Sequence, residues 1–381
     1  MKNVSIAFEF LERGEELSHG YSKATCHIVF GVKMDFTRKA RCVLDGHRTA
    51  DPKGSKYAGV VSRESVRIAF TYAALNGIDM WAADILNAYL QAPTSEKHYI
   101  ICGLEFGLEN VGRKAKIVRA LYGGKLSGRD FRNALRSCME HLKFKSCLAD
   151  PDVWMREATK SDGGTYYEYA LLYVDDTLIV SENGERVLRE EIGKCFELKE
   201  ASIGPPDIYL GGKVTKVQLE NGVKAYGFSA SQYVKNAVTN VEKYLTERGM
   251  KLPCKANTPL STGYRPEADV SLPLEAEDAN YYQSLIGILR WMVELGRIDL
   301  SCEVSMMSSH LALPQEGHFV QLLHIFAYLK KNHNSEIVFD PSEPDLDMSK
   351  FERKDWEATE FGEVEGHYHA VCPSLEVSGS R

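Results

Sequence analysis

Two adjacent carboxylates, Asp175 and Asp176, interrupt an otherwise apolar stretch, Tyr-Ala-Leu-Leu-Tyr-Val-Asp-Asp-Thr-Leu-Ile-Val at 169–180. Like charges this close among apolar neighbours repel unless a cation neutralises them. Paired oxygen ligands suit a hard cation, and Mg²⁺ binds through one or two carboxylates plus substrate phosphates. A third acid, Asp84, closes the stretch Ile-Asp-Met-Trp-Ala-Ala-Asp, 91 positions before Asp175. Each has a simpler explanation alone: an acidic pair at an exposed turn, and an Asp capping a strand end. Together they suit metal-assisted chemistry on phosphates.

The elements that must hold these acids follow from residue pattern. The runs 170–174 and 178–180 are short and rich in Leu, Ile, Val and Tyr, which predicts two buried strands joined in a hairpin with the acids at its tip. The stretch 78–85 predicts a strand ending in Asp84. Adjacent ends of such strands in one sheet would bring all three acids to one point. Ahead of them, Ser62 is placed as an N-cap, Val66, Ala69, Phe70, Ala73 and Ala74 repeat at helical spacing, and Asn76-Gly77 stops the helix. A strand at 38–44 carries the cluster Arg38, Lys39 and Arg41, and 45–61 reads as a loop. Behind the hairpin come a short helix at 187–196, two strands flanking Asn221-Gly222, and a helix at 231–248 stopped by Gly249. A Pro- and acid-rich linker at 250–277 precedes helices at 278–296, 299–312 and 316–331 and a strand at 336–339. The polar, acidic tail 341–381 is expected to lack a fixed fold. His367, His369 and Cys372 within it have no fourth metal ligand nearby.

Composition narrows the function classes. With 381 residues and 44% apolar content, two or three subdomains with their own cores are expected. No run of 18 uncharged apolar residues exists, and Glu9 and Glu12 break up the apolar start, so neither a spanning helix nor a signal peptide is read. Nine cysteines without a Cys-x-x-Cys spacing point to free thiols in a reducing, intracellular and cytoplasmic setting rather than a secreted one. The net charge of −7 is uneven: residues 1–150 carry +7 and residues 151–381 carry −14. Within 113–145 there are ten basic residues against two acids, and Arg129, Arg132 and Arg136 share one helix face. A solvated face explains one such row. Beside a carboxylate site, phosphates explain it better.

The order of these features, with Tyr173-Val174-Asp175-Asp176, resembles the copia-type retrotransposon reverse transcriptases. Further blocks fall in that family's order: Lys39-Ala40-Arg41, Val60-Val61-Ser62-Arg63-Glu64-Ser65-Val66-Arg67, Asp84-Ile85-Leu86-Asn87-Ala88-Tyr89-Leu90 and Leu121-Tyr122-Gly123. Ile208-Tyr209-Leu210-Gly211, Ser231-Gln232-Tyr233 and Tyr282-Gln283-Ser284-Leu285-Ile286-Gly287 complete the series, which covers 20–340. The resemblance implies an α+β right-hand polymerase with fingers and palm at 1–230, thumb and linker at 231–277, and a helical connection-like region at 278–340. It implies an RNA-directed DNA polymerase that adds deoxynucleotides to a primer by two-metal phosphoryl transfer, using an RNA template and a DNA or RNA primer.

In that reading Asp84, Asp175 and Asp176 hold two Mg²⁺ ions, with Mn²⁺ as a substitute. Lys39, Arg41, Tyr89 and Lys125 bind the nucleotide, Tyr89 lying under its sugar. Tyr173, Tyr209, Gly211, Arg129, Arg132 and Arg136 face primer and template. The chain departs from the family where Gly124 replaces a Leu and Leu126 a Gln, which would loosen the nucleotide pocket and remove an amide. Integrase and ribonuclease H are expected elsewhere in a full element, since 341–381 is too short for another catalytic domain; the chain reads as a piece of a polyprotein. Two other readings compete: a catalytically impaired remnant that at most binds nucleic acid, and a different two-metal enzyme such as a nucleotide cyclase. The basic segment and the long helical region favour a template–primer groove over the cyclase.

Overall fold

The computed structural model describes residues 5–32 and 38–342 of the chain; the tail positions His367, His369 and Cys372 lie outside the described residues. Its centre is an antiparallel five-stranded sheet ordered Met80–Asp84, Asp176–Val180, Thr165–Tyr173, Val153–Thr159 and Lys145–Ser146. Both faces of this sheet are covered, which is why its strands read as unbroken apolar runs rather than alternating ones. Ala83, Ala170, Leu172 and Ile179 point to Phe131, Leu135 and Met139 of the helix Ser127–His141 and to Val187, Leu188 and Ile192. Met80, Leu171, Leu178 and Val180 point the other way, onto Val66, Ala69, Phe70 and Ala73 of the helix Arg63–Asn76. Each such buried aliphatic contributes about 1.5–3 kcal/mol relative to exposure, so the hairpin is anchored from two sides.

Local signals place the ends of these elements. The Ser62 hydroxyl accepts the Ser65 N–H, and Gly77 closes the helix at φ 61°. The expected short helix at 187–196 begins earlier, at Gly184, and widens into a π-helical turn over Val187–Ile192. The wider turn aligns Val187 with Ile192, so both reach the sheet fully buried. A second four-stranded sheet orders Ile208–Tyr209, Gly212–Gln218, Lys224–Ser229 and Glu336–Phe339. The last of these strands comes from the far end of the chain.

The later helices lie at Ser231–Glu247, Ala276–Glu294, Ser301–Ser308 and Glu316–Lys331. They share one core through Val241, Leu245, Tyr282, Leu289, Met307 and Phe326. The last two residues of the expected linker 250–277 already belong to the helix Ala276–Glu294; before them the segment contains only the short turn Pro266–Ala268, yet Leu260, Tyr264 and Leu274 seat it on that core. Two smaller sheets carry the basic region. One pairs Cys26–Val32 with Arg38–Leu44; the other orders Phe8–Phe10, Lys114–Ile117, His98–Ile101 and Ser22–Lys23. The eight cysteines among the described residues are free. No helix among those residues is long and apolar enough to cross a membrane.

Candidate active site

Strand pairing brings two of the three acids together. Asp176 opens its strand directly opposite Asp84, the last residue of the neighbouring strand, and opposite Tyr173 on the other side. Val174 and Asp175 form the two-residue turn between them. Val174 has φ 55°, a conformation that a β-branched residue adopts only under external constraint. Part of that constraint is the Ile85 N–H, which donates to the Asp175 carbonyl at 2.7 Å and ties the turn to the Asp84 strand. Asp84 is held by its own backbone as well: its N–H donates to Ser202 Oγ at 2.8 Å, and its carbonyl accepts the Lys199 N–H at 2.9 Å.

The electrostatics follow from this crowding. Burial, the Asp175 charge, and hydrogen bonding and repulsion with Asp84 together push the Asp176 carboxyl up to about 7, while Lys199 draws it down. The Lys199 ammonium donates to Asp84 Oδ2 at 3.1 Å. Beneath Asp176 the hydroxyls of Thr177 and Tyr209 are buried without a partner. Both residues line a cavity of about 450 Å³ with Asp84, Asp176, Lys199 and Ser202. The donors are hard oxygens carrying a charge excess that a divalent cation would relieve, so the residues fit Mg²⁺. They do not form a closed cage: Asp84 and Asp176 face one another while Asp175 sits at the exposed turn, and no three His, Cys, Asp or Glu among the described residues converge on one point. Substrate oxygens would complete the ligand set.

A second group lies on the other side of the turn. Tyr89, on the helical turn Ala88–Gln91, packs its ring 4.9 Å from Tyr122 and 5.9 Å from Phe131. The Arg41 guanidinium stands 5.7 Å over the Tyr122 ring. Burial and then the Asp175 charge raise both the Tyr89 and the Tyr122 hydroxyls, which places the two rings in the field of the acids. Thus Asp175, Tyr89, Tyr122 and Arg41 form one layer. Lys39 is half-buried on the same strand as Arg41, opposite Gly31.

The segment after Tyr122 explains itself sterically. A Cβ on Gly123, whose φ is +84°, would lie 2.2 Å from the Leu44 carbonyl oxygen. One on Gly46 would lie 2.0 Å from the Gly123 carbonyl oxygen. Two backbones therefore touch here, joining the Arg41 strand to the Tyr122 layer. Gly123→Ala is expected to destabilise the chain by more than about 2 kcal/mol; a denaturant midpoint equal to wild type would contradict this close approach. At Gly124 the space of the absent side chain is filled by Ser127 Oγ, with Glu96 Oε2 3.2 Å from where a Cβ would lie. The Leu126 N–H donates to that same Glu96 at 3.0 Å.

The remaining expected contacts are placed as follows. Lys125 donates to the Thr49 carbonyl at 2.7 Å and to Asp51 at 3.0 Å. Arg132 makes a two-pronged pair with buried Asp152, both bonds 2.8 Å, and Arg129 bonds Ser95 Oγ and Asp130. Arg136 is the most exposed of the three, 3.9 Å from Glu140 and above the Trp154 ring. Tyr173 is half-buried beside the acids, whereas the Tyr209 ring is wholly core. Gly211 lies at the tip of the Ile208–Gln218 hairpin with φ 86°, next to Leu210 at φ 48°. Lys199 and Ser202 were not signalled by any spacing; they sit in an irregular connection without periodicity.

Residues 23–251 match the family described as reverse transcriptase (RNA-dependent DNA polymerase). The chain is similar to the retrovirus-related Pol polyprotein from transposon TNT 1-94 of Nicotiana tabacum, at 26% identity over 87% of this chain and 25% of that protein. It is also similar to those from transposons RE1 and RE2 of Arabidopsis thaliana. RE1 is 23% identical over 84% of this chain and 20% of its own length, and RE2 is 22% identical over 84% and 21%. The chain therefore spans a fifth to a quarter of the length of these relatives.

Proposed function

The chain belongs to the reverse transcriptase (RNA-dependent DNA polymerase) family, of the copia type, and from that premise we propose that it extends a primer 3′ end with deoxynucleotides on an RNA template. The observation that carries the reading is the register of Asp176 against Asp84 at two strand ends, with the Asp176 carboxyl pushed up to about 7 beside them. A pair of carboxyls this short of positive charge has a use for a bound cation. Asp84, Asp175 and Asp176 would hold a Mg²⁺ pair, and Mn²⁺ would substitute. When bound, that pair supplies the charge that activates a primer hydroxyl and stabilises departing pyrophosphate. Tyr89 and Tyr122 wall the nucleotide's sugar, and Arg41 with Lys39 meets its phosphates. Lys125 holds the loop at Thr49 and Asp51, so its contribution to the nucleotide runs through that loop.

The right-hand division follows from the same premise: fingers and palm over 1–230, thumb and linker over 231–277, and a connection-like helical region over 278–340. The hairpin carrying Gly211 grips the primer through backbone at its tip, since Tyr209 beneath it is core. Of the basic row, Arg136 reaches nucleic acid most directly, and Arg129 and Arg132 would contribute through the carboxylates they hold in place. Integrase and ribonuclease H activities belong to other parts of a full element, which operates inside the cell. Primer extension by the purified chain on a primed RNA homopolymer with Mg²⁺ tests the proposal. Template-dependent extension is the expected result. Binding of the primed template without any extension would favour the second reading, a remnant that only binds nucleic acid. That reading draws on the internal pairing of Lys125, Arg129 and Arg132.

A further inference from the structure

Arg63 and Arg67 stand one helical turn apart on the helix Arg63–Asn76, and the function proposed above gives neither a role. Both reach the end of a helix more than two hundred residues away. The Arg63 guanidinium stacks 4.0 Å over the Trp291 ring and donates to Glu294 Oε2 at 3.0 Å. Arg67 donates to the Glu294 carbonyl at 2.9 Å. The Arg63 side chain is only 18% exposed, so this cation–π contact is largely desolvated and correspondingly firm. The last turn of the helix Ala276–Glu294 is thereby locked against the central sheet's covering helix.

That locked end abuts the Leu210–Gly211 turn. A Cβ on Gly211 would lie 3.9 Å from Leu295 Cδ1 and 4.0 Å from Trp291 Nε1. Leu210, Leu295, Phe70 and Phe228 close a cavity of only about 20 Å³ between them. The turn needs such support. Both of its residues have positive φ, 48° and 86°, and Leu210, unlike Gly211, adopts that conformation only where its surroundings impose it.

We propose that Trp291 is a positioning residue for the primer: clamped by Arg63, it braces the Leu210–Gly211 turn and so fixes where that turn holds the primer 3′ end. The inference rests on the polymerase reading of that turn. It also gives the helical region after residue 276 a direct mechanical connection to the acids, because the braced hairpin enters the cavity that Asp84 and Asp176 line through Ile208 and Tyr209.

The test uses the full chain as wild type, Trp291→Ala, Trp291→Phe and Arg63→Met. Two readouts are taken: KM for primer–template against KM for the nucleotide, and the fluorescence of a 2-aminopurine at the primer 3′ end with no nucleotide present. Trp291→Ala is expected to raise KM for primer–template about tenfold, the size of one lost desolvated ring contact. It should leave KM for the nucleotide within about twofold and shift the terminal 2-aminopurine signal towards that of free primer. Trp291→Phe keeps a ring for Arg63 and should restore most of both. A role confined to packing would lower the melting temperature without splitting the two KM values. If Trp291→Ala does not fold, Arg63→Met reads the same contact from the opposite side. Folded variants with wild-type KM for primer–template and wild-type 2-aminopurine signal overturn the inference, while extension by the wild type leaves the polymerase reading standing. A wild-type chain that binds but does not extend still reports through 2-aminopurine, and one that binds no primer–template sinks both.

Discussion

Asp176→Asn is expected to abolish nucleotide addition and, at the same time, to make the cation-free chain more stable above pH 7. The two effects have one cause. The folded Asp176 carboxyl titrates at about 7 because of burial, the Asp175 charge and Asp84, whereas an unfolded Asp titrates near 3.9. The folded state therefore binds more protons than the unfolded state between roughly pH 4 and pH 7, and stability falls as pH rises through that window. By linkage the full penalty above pH 7 is at most about 4 kcal/mol; partial solvation of the carboxyl and the nearby Lys199 reduce it to about 2 kcal/mol. An amide never takes on the charge, so the variant's advantage should shrink towards zero as pH approaches 4. Asp84→Asn should be equally inactive, with a smaller stability gain because it also removes the partner of Lys199. Primer extension with Mg²⁺ and thermal melts at pH 5 and pH 8 measure the pair of effects. Extension at near wild-type rate by either variant would remove the acids from the chemistry, and a stability difference independent of pH would refute the charge-crowding account.

How far the site could be read beforehand depended on the range of each signal. The hairpin tip, the strand ending in Asp84 and the Ser62-capped helix are encoded within a few residues, through apolar period, cap chemistry and turn glycines. All three lie where those signals put them. Long-range partners carried no such mark. Nothing in Leu198-Lys199-Glu200 announces that Lys199 lies on Asp84, and nothing in Asp152 announces that it neutralises Arg132 from the turn before the strand Val153–Thr159. The basic row on Ser127–His141 looked like a phosphate-facing surface because the acid that neutralises Arg132 is distant in sequence; folding brings Asp152 to Arg132 and Asp51 to the neighbouring Lys125, while Asp130 on the helix itself pairs with Arg129.

Two-residue periodicity also cannot tell which face of a short edge strand is outward. Tyr209 could have faced the primer on pattern alone, yet its ring is packed under Asp176 with its hydroxyl raised by burial. The strand Glu336–Phe339 was legible as a strand, but its pairing with Lys224–Ser229 spans more than a hundred residues and belongs to the topology rather than to local pattern. The Trp291 clamp has the same character. Its arginines fall inside the block 60–67 that carries the resemblance, while their common target became visible only in three dimensions.

Tyr89→Ala should raise ribonucleotide incorporation relative to deoxyribonucleotide, and by the largest factor of any change in the nucleotide layer. The ring is fixed from three directions, by Tyr122 at 4.9 Å, by Phe131 at 5.9 Å and by Ala58, Gly59 and Val60 across a cavity of about 30 Å³. It cannot swing aside for a larger sugar without disturbing the Arg41–Tyr122 stack. A ribose 2′ hydroxyl arriving beside Asp175 would meet the ring face, which offers neither room nor a hydrogen bond. Rejection by steric clash together with an unpaired polar group can reach several kcal/mol, and each ~1.4 kcal/mol is about tenfold in selectivity. Removing the ring opens that space at the cost of the contacts with Tyr122 and Phe131, so some loss of stability and of overall rate should accompany the change. The decisive quantity is the ratio of kcat/KM for a matched ribo- and deoxyribonucleotide pair in the two proteins, because that ratio cancels a general loss of active enzyme. A rise of one to two orders of magnitude, about 1.4–2.8 kcal/mol, is expected. An active Tyr89→Ala chain with an unchanged ratio would reduce Tyr89 to a packing residue between Tyr122 and Phe131 and leave sugar discrimination to some other wall of the pocket.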